Sequence, residues 1–151
     1  MHIERDDLSR TEVQDLLREH LAHMHELSPP EGVNALDLAR LRAPGITFWT
    51  IWEESLLLGC GALRELSPTH GEVKSMRTPQ AHRGLGAGRG ILTHIVAEAR
   101  NRGYRRLSLE TGVHPAFTPA HKLYESFGFT YCGPFGDYKE GPYGIFMTLE
   151  L

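Results

Sequence analysis

The stretch from His82 to Leu92, HRGLGAGRGIL, constrains the fold more than any other part of the chain. Glycine recurs at 84, 86, 88 and 90, and an apolar helical stripe of Ile91, Leu92, Ile95, Val96 and Ala99 starts directly behind it. Ahead of it, HGEVKSMRT has mixed β character and stops at Pro79. A strand that feeds a glycine loop and then opens a helix is an anion cradle. The first N–H groups of the helix lack intrahelical acceptors, and the positive end of its dipole points into the loop. Glycine there admits close approach of a phosphate and tolerates positive φ. Without a ligand, the same residues read as a flexible strand-to-helix turn.

Two phosphate motifs fail on inspection. A dinucleotide fingerprint starting at Gly84 needs glycine where Arg89 stands, and one starting at Gly86 needs it at Ile91. A nucleotide-triphosphate loop needs Lys followed by Ser or Thr at the helix start, and GRGIL has neither.

Around this loop the chain reads as alternating elements. Ser9 and Glu12 have capping-box spacing ahead of a helix carrying Val13, Leu16, Leu17, Leu21, Met24 and Leu27, which ends at Pro29 and Pro30. VNALDLARL suggests a short second helix with Asn34 as its cap. ITFWTIW and LLLGCGALREL read as strands, with Gly59 and Gly61 as bulge or close-approach positions. A strand, YRRLSLE, follows the helix that Gly103 ends; then come a helix over PAHKLYESFGF and two closing antiparallel strands, FTYCGPF and GIFMTLEL. This order predicts a single domain over residues 1–151, of α+β class, with a mixed, mostly antiparallel sheet flanked by helices.

Composition excludes little beyond the unusual. With 40% hydrophobic and 23% charged residues and a net charge of −3, the chain is an ordinary globular one with no broad attraction for nucleic acid. No apolar run reaches a membrane span and the N-terminus lacks a signal pattern, so the expected location is cytoplasmic. Cys60 and Cys132 stand outside any CxxC pattern and are expected as reduced, half-buried thiols. His20, His23 and His25 lack a third ligand at helical spacing, so no metal is expected; a polar helix face or a cleft wall fits them better.

Arg83, Gly86 and Gly88 form RxxGxG, which resembles the [Q/R]xxGx[G/A] signature of the GCN5-related N-acetyltransferase (GNAT) superfamily. EVKSMRTPQAHRGLGAGRGIL resembles the strand, motif and helix of that family, and AHKLYESFGF its later AxxLYxxxGF element. EVKSMRT and FGDYKEGPYGIFMTLEL look most like small bacterial members. The resemblance covers most of the chain and implies an acyl-CoA N-acyltransferase fold. It also implies acetyl-CoA as cosubstrate, with its pyrophosphate on the main chain of Arg83, Gly84, Leu85, Gly86, Ala87, Gly88 and Arg89. The pantetheine arm would then lie along Met76, Arg77 and Thr78. Two departures stand out: Phe117 where many relatives have asparagine, and Pro79 one position early.

Acetyl transfer to an amine needs a deprotonated nucleophile, a donor for the oxyanion and a proton for the departing thiolate. Tyr124, matching a tyrosine that lies near the sulfur in the resembled family, is the implied acid. Glu72 ranks first as base ahead of Glu110 and His114, and the main-chain N–H of Met76 or Arg77 is the expected oxyanion donor. No cysteine sits in a nucleophile context, which favours direct attack in a ternary complex. WEESLLLGCG and FGDYKEGPYG are candidate walls for a small-molecule or peptide amine. The alternatives are a catalytically silent acyl-CoA sensor and an interaction domain with a merely structural loop. GIFMTLEL, taken as an exposed edge, suggests a homodimer.

Overall fold

The computed structural model describes residues 1–33 and 36–151, so the expected cap at Asn34 lies outside the described residues. One seven-stranded sheet organises them, in the order β1-β2-β3-β4-β5-β7-β6. Its strands are β1 (His2–Arg5), β2 (Ile46–Glu53), β3 (Leu56–Ser67), β4 (His70–Arg77), β5 (Arg106–Gly112), β6 (Thr130–Cys132) and β7 (Gly144–Glu150). Every neighbouring pair is antiparallel except β4 and β5. That exception follows from the connection: α3 (Ala87–Asn101) crosses over between them, as a parallel pair requires. The α+β class and the mostly antiparallel sheet are those expected from the sequence.

Helices cover both faces. α1 (Thr11–Leu27) and α2 (Leu38–Leu41) lie on one, where Val13, Leu16, Leu17 and Leu41 meet Phe48, Trp52, Cys60 and Ala62. α3 and α4 (Thr118–Ser126) lie on the other, where Ile91, Leu92, Ile95, Val96 and Ala99 meet Ile51, Leu63, Val73 and Leu107. Each large apolar side chain sealed in these layers contributes about 1.5–3 kcal/mol. No described helix is long and apolar enough to cross a membrane.

Three expectations are corrected. The Ser9–Glu12 capping box does not form: Asp7 lies nearer, and its Oδ1 takes both the Ser9 hydroxyl (2.6 Å) and the Ser9 N–H (3.0 Å), leaving Arg10 at the cap position. GIFMTLEL is no exposed edge, because β6 pairs along its outer side; the edges are β1 and β6. Cys60 is fully buried rather than half-buried. His2–Arg5 is a strand that the sequence pattern did not suggest.

Candidate active site

The site is made by a sheet that stops pairing. β4 and β5 share rungs only at His70–Arg106, Gly71–Leu107 and Glu72–Ser108, after which they part. On its other side β4 carries a bulge, because Cys60 faces Arg77 and Ala62 faces Lys74, so Ser75 and Met76 together oppose Gly61. Ser75 takes φ 54°, an uncommon left-handed conformation for serine. The buried Cys60 thiol donates to the Ser75 carbonyl at 3.3 Å, and burial pushes its pKa up to about 12, so it remains a donor rather than a thiolate. A Cβ on Gly61 would stand 2.8 Å from Met76 Sδ and 3.0 Å from Ile95 Cδ1, so those side chains would have to shift to admit one.

A cavity of about 570 Å³ opens in the wedge. At one end sits the glycine loop. Gly84 and Gly86 have φ of +82° and +86°, and the first hydrogen bond of α3 runs from the Gly90 N–H to the Gly86 carbonyl at 2.9 Å. The N–H groups of Ala87, Gly88 and Arg89 therefore precede the helical ladder and lie open to an anion. A Cβ at Gly88 would meet Leu123 and Thr78 only at ordinary contact distances of 3.5 and 3.8 Å, so the space there would admit one.

Tyr124, on α4, lines the cavity and packs edge-on against Phe129, with ring centroids 5.8 Å apart. Its hydroxyl has no protein partner among the described residues, and burial raises its pKa above the usual phenol range, so it is a protonated donor facing the cavity.

The floor, on the α1 side of β4, is a buried ionic knot. Glu72 is 1% exposed; its Oε2 accepts from the Tyr138 hydroxyl at 2.6 Å and from Lys74 Nζ at 3.2 Å, and Lys74 Nζ also donates to Tyr138 Oη at 2.8 Å. Glu72 Oε1 is buried with no hydrogen-bond partner, the Arg64 guanidinium standing 4.0 Å away. Burial and the Glu72 charge together hold the Tyr138 phenol protonated well above its ordinary range.

The wall toward α1 is built from Arg77, His20 and His23. Arg77 donates through Nη1 to His23 Nδ1 (2.8 Å) and through Nη2 to Glu19 Oε1 (2.8 Å). Its Nε is buried and without a hydrogen-bond partner among the described residues, as is His20 Nδ1. Burial and the neighbouring Arg77 charge depress the His20 pKa to about 4, and the same two causes lower that of His23.

Of the residues singled out in the sequence, Glu72, Met76, Arg77, Thr78, Arg83, Gly84, Gly86, Ala87, Gly88, Arg89 and Tyr124 all line this one cavity. The Leu85 side chain is exposed at the loop tip and does not. The Arg89 side chain turns to α4, donating to Ser126 Oγ at 3.0 Å and lying over the Phe127 ring. Glu110 lines the cavity. His114 does not, because its Nδ1 accepts the Ala116 N–H and caps a short turn. Phe117 lays its ring on Gly112, where an added Cβ would be 2.2 Å away, and lines the cavity between β5 and α4. FGDYKEGPYG supplies Tyr138, whereas WEESLLLGCG contributes nothing to the cavity. His20 and His23 are a cleft wall, and among the described residues no cluster of metal-ligating side chains occurs. Lys74 had no sequence signal of its own, and Tyr138 was signalled only as part of FGDYKEGPYG.

A family model described as Acetyltransferase (GNAT) family matches residues 11–129. This chain belongs to the GNAT acetyltransferase family. Its similarity extends over whole relatives: it is 56% identical to YsnE, an uncharacterized N-acetyltransferase of Bacillus subtilis (strain 168), over 151 residues and 100% of both chains. It is 37% identical to an IAA acetyltransferase of Azospirillum brasilense over 150 residues, covering 99% of this chain and 97% of that one. Among solved structures, one from Klebsiella pneumoniae subsp. pneumoniae MGH 78578, described provisionally as an acyl-CoA N-acyltransferase, superposes with a TM-score of 0.83 at 27% identity over 99% of this chain and 97% of that chain. A GNAT family acetyltransferase from Elizabethkingia anophelis with acetyl-CoA bound gives a TM-score of 0.69 at 17% identity over 99% of this chain and 97% of that chain. This GNAT chain therefore has the fold expected for acyl-CoA chemistry.

Proposed function

We propose that this acetyltransferase moves an acetyl group from acetyl-CoA to a primary amine by direct attack in a ternary complex. One observation carries the reading: the open N–H groups at the start of α3 adjoin the wedge where β4 and β5 part, so an anchored diphosphate lays its thioester beside unpaired strand edges. Arg83 adds charge at the same end, and the main chain of Met76, Arg77 and Thr78 runs along the arm. That a protein of the same fold, the Elizabethkingia acetyltransferase, binds acetyl-CoA supports the choice of cosubstrate.

In the step, the amine lone pair forms a bond to the thioester carbonyl carbon, and an N–H at the Ser75–Met76 bulge takes the oxyanion. The tetrahedral centre collapses, the C–S bond breaks, and the thiolate takes the Tyr124 proton while the amine proton passes to Glu72 Oε1. Both groups return to their starting state by exchange with solvent.

The test has two arms. Melting in the presence of coenzyme A, ATP and NAD is expected to show stabilisation by coenzyme A alone, since a ligand of the native state raises stability. Thiol release is then measured over polyamines, amino acids, aminoglycosides and peptide N-termini. Release with at least one amine is the expected result. Tight coenzyme binding with no release across the panel would convert the assignment to a silent sensor, and no coenzyme effect at all would remove it.

A further inference from the structure

We infer that the amine acceptor carries a carboxylate, gripped by Arg77 and His20 on the α1 wall of the cavity. The inference rests on the acetyl-transfer reading and adds the acceptor's class. Arg77 has a side chain only 8% exposed, and its single anionic partner among the described residues is Glu19, which is 49% exposed at the outer side of α1. Its other partner, His23, is a neutral ring accepting through Nδ1. A guanidinium this deep is normally matched by a group as deep as itself, and here the inner part of the fork is left over: Nε is buried and has no hydrogen-bond partner among the described residues. On the same wall His20, 7% exposed, also buries an unpartnered Nδ1. Two unsatisfied ring and guanidinium nitrogens beside one buried positive charge call for a planar, negatively charged acceptor group, and a carboxylate spans Nε and Nη2 of an arginine side-on. Glu19 Oε1 on Nη2 already shows which group this fork takes.

The rest of the cavity gives a positively charged acceptor no equivalent. Glu72 Oε2 is bound by Tyr138 and Lys74, its remaining oxygen Oε1 is the atom that receives the amine proton in the proposed step, and Glu110 has interactions within the protein. Position sets the acceptor's size as well. Arg77 directly follows the Ser75–Met76 bulge on β4, so the amine at the bulge and the anion at Arg77 belong to one short molecule of amino-acid type.

The experiment pairs amino acids with their own carboxamides, glycine and β-alanine among them, compared by kcat/KM at a fixed concentration of unprotonated amine. The wild-type protein is expected to prefer the carboxylate roughly ten- to a hundredfold, the range for a charge-assisted bond. Arg77→Gln is expected to bring that ratio close to one. Glu19→Gln, at an exposed position, removes the competing carboxylate and is expected to raise the ratio at least twofold, a gain that a purely structural Arg77 does not produce. A wild-type ratio at or below one, a ratio that Arg77→Gln leaves in place, or one that Glu19→Gln fails to raise overturns the proposal. Turnover of the carboxamides alone sinks this inference and keeps acetyl transfer, whereas absence of coenzyme binding by calorimetry sinks both. If coenzyme binds and neither series turns over, titrating the coenzyme-loaded protein with both series reads the same ratio as affinities.

Discussion

Replacing Tyr124 by Phe separates the chemistry of this site from its architecture. The ring stays, with its edge-on contact to Phe129 at 5.8 Å, and only an oxygen without a protein partner is lost. Removing a cavity-facing hydroxyl that has no partner among the described residues leaves no orphaned group behind, so stability should change by no more than about 0.5 kcal/mol, or rise slightly. Coenzyme affinity, set at the far end of the cavity by the loop before α3, should also hold. Turnover should not. A positioned general acid contributes about 10²-fold or more, roughly 2.7 kcal/mol of barrier for the lower figure. Because burial alone raises the Tyr124 pKa, the wild-type donor keeps its proton from pH 6 to 9, and the loss should be uniform across that range. The assay is thiol release under saturating acetyl-CoA, alongside calorimetry with coenzyme A and thermal melting of both proteins. A variant turning over within threefold of wild type at every pH refutes the role of Tyr124; one that also melts several degrees lower shows that the ring contact had been misjudged.

His20 and Gly112 provide two stability tests. His20 titrates at about 4 when folded and near 6.5 when unfolded, so its contribution is present above pH 6.5 and is lost as pH falls toward 4, on the order of 3 kcal/mol. Melting from pH 8 to 4 should show this acid loss in wild type and a shallower one in His20→Gln; parallel curves would refute it. In Gly112→Ala the new methyl collides with the Phe117 ring at 2.2 Å and should cost about 1–3 kcal/mol, with Phe117→Ala in the same chain recovering part of it. An unchanged midpoint in denaturant would show that the ring moves freely.

What the sequence revealed depended on how local the determining physics was. The glycine loop and α3 were legible because positive φ at Gly84 and Gly86 and the Ile91–Ala99 stripe are encoded within a few residues. Gly59 and Gly61 were legible as close-approach sites for the same reason, though their neighbours, the Arg77 carbonyl and Met76 Sδ, were not. β1 escaped because its four residues are too few to show alternation and owe their extension to pairing with Trp49–Trp52 across the chain. The Ser9 cap failed because Asp7, two residues earlier, competed for the same hydroxyl. Tyr138 is 66 residues from Glu72, and no spacing rule joins them. Arg77 was read for its main chain, while its side chain turned to a helix 58 residues earlier. Likewise β7 looked terminal in sequence and became interior only because β6 folds back outside it.

The parting of β4 from β5 after three rungs has a mechanical consequence. A half-fastened seam in the middle of a sheet leaves the facing edges of β4 and β5 beyond Glu72 and Ser108 without each other's hydrogen bonds, while α3 and the shared apolar core still hold the two flanks together. A guest that threads the gap would supply the missing stitches, completing a sheet that the chain alone leaves open.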